Sequence, residues 1–123
     1  MILHLRDLEP APSGGGRIWL QIGTECFPEE GWYDLPGILL EYWRRDLRAF
    51  ADGVTASCKL GFMDGPYCVR LHRKDGRVYA SCMEHDRIVI DSVSVDFSAF
   101  WRRYRNNDTI KVGREQIPAL PCQ

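Results

Sequence analysis

Between Thr55 and Val95 apolar residues recur at every second position, and turn residues interrupt the chain at short intervals. Ala56, Cys58, Leu60 and Phe62 alternate with Thr55, Ser57, Lys59 and Gly61. Tyr67, Val69 and Leu71 alternate with Cys68, Arg70 and His72, and Val78, Ala80 and Cys82 with Tyr79, Ser81 and Met83. Successive side chains on a strand point to opposite faces, so this period predicts strands that each bury one face. Met63-Asp64-Gly65-Pro66, Lys74-Asp75-Gly76 and Glu84-His85-Asp86 supply the turns. Lys74-Asp75-Gly76 is a better hairpin signal than Asp64-Gly65. Gly65 precedes proline, which predicts extended geometry there and a loop built on a type I turn. With a last strand from Arg87 to Val95, the pattern predicts a four-strand antiparallel meander.

A sheet with one apolar face needs a cover, and two amphipathic helices can provide it. Leu39, Trp43, Leu47 and Phe50 make one apolar stripe, with Glu41, Arg44, Arg45 and Arg48 on the other side. Asp34 is placed to cap the N-terminus of this helix, Pro36 suits its first turn, and Gly53 suits its left-handed C-cap. The second helix is expected from a cap at Asp96 to about Asn106, with Phe97, Phe100, Trp101 and Tyr104 on one stripe. Ahead of both lie a short strand, Ile2 to Leu5, and a second in which Ile18, Leu20 and Ile22 alternate with Trp19 and Gln21. The expected fold is α+β: an antiparallel sheet, the meander plus an N-terminal strand, with two helices packed on one face. At 123 residues it suits a single domain, 1–123, with a flexible loop at 7–16 and an irregular tail at 111–123.

Charge and cysteine usage narrow the function. Sixteen basic residues against 17 acidic leave a formal charge of −1, which predicts no general attraction to nucleic acid or anionic lipid. Arg102, Arg103 and Arg105 then read as a solvated helix face. No apolar run approaches the ~18 residues of a membrane span, and Met1 to Asp7 lacks the pattern of a secretory signal, so a cytoplasmic protein is expected. Cys26, Cys58, Cys68, Cys82 and Cys122 are dispersed, without a Cys-x-x-Cys pair, and read as core residues rather than disulfides or metal ligands. No metal or other cofactor is expected. Gly14-Gly15-Gly16 precedes a strand, whereas phosphate cradles lead into a helix. With His4, His72 and His85 available, a Cys–His hydrolase or transferase stands as the enzymatic alternative, and a homodimer joined by a sheet edge or the Trp101 helix as a structural one.

The segment Glu25-Cys26-Phe27-Pro28-Glu29-Glu30-Gly31-Trp32-Tyr33-Asp34 packs four carboxylates and three aromatic rings into ten residues. Phe27 and Trp32 could seal one end of the core, with Tyr33 stapled onto Ile38. The carboxylates favour an interaction surface instead, because sealing a core does not need them. On that reading Phe27, Trp32 and Tyr33 are desolvated anchors, and Glu25, Glu29, Glu30 and Asp64 supply charge that speeds encounter with a basic partner.

Phe27 to Asp34 running into the Trp43 helix, together with Phe62-Met63-Asp64-Gly65-Pro66-Tyr67, resembles a group of small bacterial proteins of this length and element order. In general form that group is similar to the immunity proteins of polymorphic-toxin and contact-dependent inhibition systems. The resemblance spans roughly residues 17 to 105, and its motifs name no reaction. It implies a cytoplasmic, non-enzymatic protein that neutralises a cognate toxin domain by tight binding, usually by occluding its active site.

Overall fold

In the computed structural model the chain runs through β1 (Ile2–Arg6), β2 (Gly16–Ile22), β3 (Glu25–Phe27), β4 (Tyr33–Asp34), α1 (Pro36–Ala51), β5 (Ser57–Gly61), β6 (Tyr67–Lys74), β7 (Arg77–Glu84), β8 (Arg87–Val95) and α2 (Phe97–Asp108). The structure describes residues 1–10 and 12–108, followed by two short paired strands, β9 (Gly113–Arg114) and β10 (Ile117–Pro118). The rest of the expected irregular tail lies outside the described residues. The fold is α+β.

The period-two segment forms the meander β5-β6-β7-β8, antiparallel throughout. Cys58, Leu60, Val69, Leu71, Ala80 and Cys82 share its inner face and are buried. Asp75 and Gly76 both have positive φ in the β6–β7 turn, as the Asp-Gly pair predicts. Gly65 departs from expectation: its φ is +85°, not extended, and a Cβ there would lie 2.8 Å from the Tyr67 ring. Only glycine lets the loop fold down onto Tyr67. At the β8 edge the register with β7 slips on either side of Cys82, so the edge strand bulges. Bulges twist an edge away from flat pairing with another strand.

The N-terminal strands do not extend this sheet. They form a second antiparallel sheet, in which β1 pairs with one side of β2 while β3 and β4 follow one another along the other side. Its inner face carries Leu3, Ile18, Leu20, Ile22 and Phe27, which join the meander and both helices in one core. Trp19 is also buried, at 4% exposure, although it lies on the opposite face. The His4 ring stacks on it at 4.9 Å and the Arg6 guanidinium sits 4.9 Å above it, so two long neighbours cover it where alternation predicts exposure. The loop from Asp7 to Gly15 is tied by Glu9 N–H donating to Gly15 O at 2.7 Å.

The expected stripe of α1 is wholly buried, extended by Leu40. The helix ends as its Gly53 predicts. Gly53 has φ +78°, its N–H donates to Phe50 O, and Val54 N–H donates to Ala49 O, so two orphan carbonyls are satisfied. The N-terminus differs from expectation: Leu35 is the N-cap, with no side-chain cap, and Pro36 is the first helical residue. In α2, Asp96 does cap, accepting a hydrogen bond from Ala99 N–H at 3.0 Å. Phe97, Phe100 and Tyr104 are buried, and the Tyr104 hydroxyl donates to Leu40 O, joining the helices. No helix among the described residues is long and apolar enough to cross a membrane.

Trp43 packs edge-on against Phe62 and donates its indole N–H to Gly61 O at 2.8 Å, tying α1 to the meander. Trp43→Ala is expected to cost about 3–5 kcal/mol in urea denaturation. A loss below about 1 kcal/mol would show that α1 does not dock through this residue.

Candidate functional site

Glu25 to Asp34 is a strand broken in the middle. Glu25, Cys26 and Phe27 pair with Ile22, Gln21 and Leu20, and Tyr33 and Asp34 then pair with Arg17 and Gly16. Residues 28–32 therefore loop out opposite only Ile18 and Trp19. Ile18 N–H donating to Trp32 O at 2.8 Å, and Trp32 N–H donating to Glu29 O at 3.2 Å, close the excursion.

Asp34 holds this loop to the meander. The residue is 3% exposed, and its Oδ1 accepts from Leu35 N–H at 2.8 Å. Its Oδ2 accepts from the Trp32 indole at 3.0 Å and from Asp64 N–H at 3.2 Å. A buried carboxylate needs such donors, and the Asp34 expected as a helix cap is used as a clasp instead. The clasp unites the two segments noted in the sequence. Phe27 meets Phe62 and Tyr67 edge-on at 6.3 and 5.7 Å, and Trp32 meets Tyr67 at 5.3 Å. The two motifs are one packed unit, 30 residues apart in the chain.

The expected surface residues divide three ways. Phe27 is buried, at 4% exposure, so its ring belongs to the core and is not an exposed anchor. Trp32 is half-buried, its ring against Tyr67 and its N–H on Asp34. Glu29, Glu30 and Asp64 are exposed and flank Trp32, two from its own loop and one from the loop its clasp holds. Glu25 is exposed but stands at the far end of β2 from Tyr33, about 16 Å away on the usual strand rise. It does not join the group.

Tyr33 is exposed and faces another way. Its hydroxyl donates to Glu9 at 2.7 Å, and Arg17 lies 5.2 Å over its ring while donating to Gly31 O. The Glu9 carboxylate holds the phenol above its ordinary pKa, since ionisation would break this bond and oppose two negative charges. Tyr33 and Ile38 both stay exposed, so the expected staple is replaced by Glu9 and Arg17. Neither partner was legible in the sequence, because register and a long loop bring them in. Exposed Met63 and Tyr42 carry no signal in the sequence either; Tyr42 stands one turn from exposed Ile38 on α1.

Two of the buried thiols are poorly placed for chemistry. Burial pushes Cys58 and Cys82 up to about 12, so both are protonated at neutral pH, the wrong state for attack or metal binding. His4 bonds Gln21, His72 stacks on Tyr79, and His85 sits in the β7–β8 turn at φ +58°. Among the described residues no three His, Cys, Asp or Glu side chains converge as a metal site would require.

Asp34→Ala should leave buried donors unanswered, lower stability by about 2–4 kcal/mol in urea and shift Trp32 fluorescence. Unchanged stability would mean that water replaces the clasp. Iodoacetamide at pH 8 should label half-exposed Cys26 in the native protein far faster than Cys58 or Cys82, as read by peptide mass mapping. Rapid native-state labelling of Cys58 or Cys82 would contradict their burial.

No protein-family model, curated protein or solved structure matches the chain, so the use of this surface has to be read from its chemistry.

Proposed function

We propose that this chain is a non-enzymatic binding protein of the immunity type, which neutralises a cognate bacterial toxin domain by covering its active site. The observation that carries the reading is the exposed trio Glu29, Glu30 and Asp64 around half-buried Trp32, on a loop fixed by Asp34. A rigid surface binds with little ordering cost, because its backbone is already set before the partner arrives. Carboxylates around an aromatic ring suit a basic cleft of the kind that holds phosphate-bearing substrates. They would steer encounter, while the Trp32 edge and Met63 supply apolar contact. The likeness of Phe27–Asp34 and Phe62–Tyr67 to immunity proteins points the same way. The protein would act in the cytoplasm, where such toxins are delivered.

The test begins with co-expression. The C-terminal domain encoded by a neighbouring large reading frame should arrest growth, and this chain should relieve the arrest. Charge neutralisation, Glu29→Gln with Glu30→Gln, should then slow association and flatten its salt dependence while leaving the melting temperature within about 1–2 °C. Failure of the chain to protect, or full-speed association by the double variant, would remove the assignment of this surface.

A further inference from the structure

The outer face of the meander concentrates positive charge that the whole-chain sum conceals. Lys59 of β5, Arg70, His72 and Lys74 of β6, and Arg77 and Tyr79 of β7 all stand on this face. Ser94 of β8 lies beside Tyr79. Neither β6 nor β7 puts a carboxylate on it; Asp46 of α1 lines a cleft with Lys59 and Arg70 at the β5 edge, and Asp91 lies in the β8 bulge beside Ser81. Lys59 lies directly opposite Arg70, and Lys74 directly opposite Arg77. All four are exposed, and none makes an ion pair with a described residue. Like charges opposed across strands destabilise a sheet unless an anion answers them.

Between the two cationic pairs stand His72 and Tyr79, opposite each other, half-exposed, with ring centroids 5.6 Å apart at 23°. Arg70 and Lys74 are four residues apart, about 13 Å on a strand. That span is about two phosphate steps of an extended strand, so that the base between can lie over the rings. Acidic protein would satisfy the cations but has no need of the ring pair. We infer that the outer face of β5–β8 binds single-stranded nucleic acid, with Lys59, Arg70, Lys74 and Arg77 on the phosphates and Tyr79 with His72 as a stacking platform. This goes beyond the toxin-binding reading and uses a different surface, so either can fail alone.

Fluorescence anisotropy with labelled oligo-dT and oligo-U of about ten nucleotides, at about 50 mM salt, tests it on the full chain. Binding is expected to weaken steeply with salt, by about 0.7 in the log–log slope for each phosphate contacted. Arg70→Gln with Lys74→Gln should lower both affinity and slope. Tyr79→Ala should weaken binding about tenfold, and Tyr79→Phe should bind like the parent. Thermal melts confirm that each variant is folded, and the charge pair, being exposed, tests the site even if Tyr79→Ala unfolds. The inference is overturned if neither oligonucleotide binds or if the charge variant binds as the parent does. It is equally overturned if a duplex of the same length binds as tightly or if polyglutamate displaces oligo-dT at equal charge.

Discussion

One buried carboxylate decides how the two halves of the molecule meet. Asp34 ends the last strand of the first sheet and stands beside the start of α1. With its Oδ2 on both the Trp32 indole and Asp64 N–H, it also fixes the loop between β5 and β6. A charge so deep is tolerable only while its donors stay in place. Each donor belongs to a different feature: the helix start, the acidic loop and the meander. The aromatic cluster of Phe27, Trp32, Phe62 and Tyr67 then fills the space around the clasp, and Trp43 extends it into α1. Apolar burial supplies the bulk of the free energy. Burial is indifferent to direction, however, and the hydrogen bonds to Asp34 select one relative placement of these pieces.

Local physics was legible in the sequence where it was self-sufficient. The meander, the Asp75-Gly76 hairpin, the stripes of both helices, the Gly53 terminus and the Asp96 cap all depend on residues within one or two turns of each other. The readings that moved depend on partners brought from afar. Asp34 has every local attribute of a helix cap, but Asp64, 30 residues on, and the Trp32 indole claim its oxygens. Phe27 lies among acidic residues and reads as part of a surface, yet its strand register turns it inward beside Leu20. Glu25 is near Tyr33 in sequence and far from it in space because β3 and β4 run along β2. The division of the described strands between separate sheets was likewise illegible, since alternation predicts a face for each strand and says nothing about its neighbour.

Charge shows the same gap between sum and arrangement. A formal charge of −1 argues against attraction to phosphate only if the charges are mixed. Here Glu29, Glu30 and Asp64 gather at the clasped loops while Lys59, Arg70, Lys74 and Arg77 gather on an open sheet face. The strand period explains the second cluster: every second position is reserved for apolar side chains, and the positions between are free to carry one sign. A protein built this way can be nearly neutral and still present opposite potentials on two of its surfaces.

The bond from Arg103 to the carbonyl of Leu3, at 3.3 Å, joins residues 100 apart. β1 thus leaves the ribosome 100 residues ahead of the helix that completes its packing. Until α2 has been made, the inner face of the first sheet lacks Phe97, Phe100 and Tyr104, and a hairpin of β1 and β2 is too small to hold together on its own. The meander, closed by local turns, can form while synthesis continues, and the N-terminal sheet must wait. A nascent chain of this protein is therefore most vulnerable, to proteolysis and to misplaced strands, in this sheet until α2 has followed it.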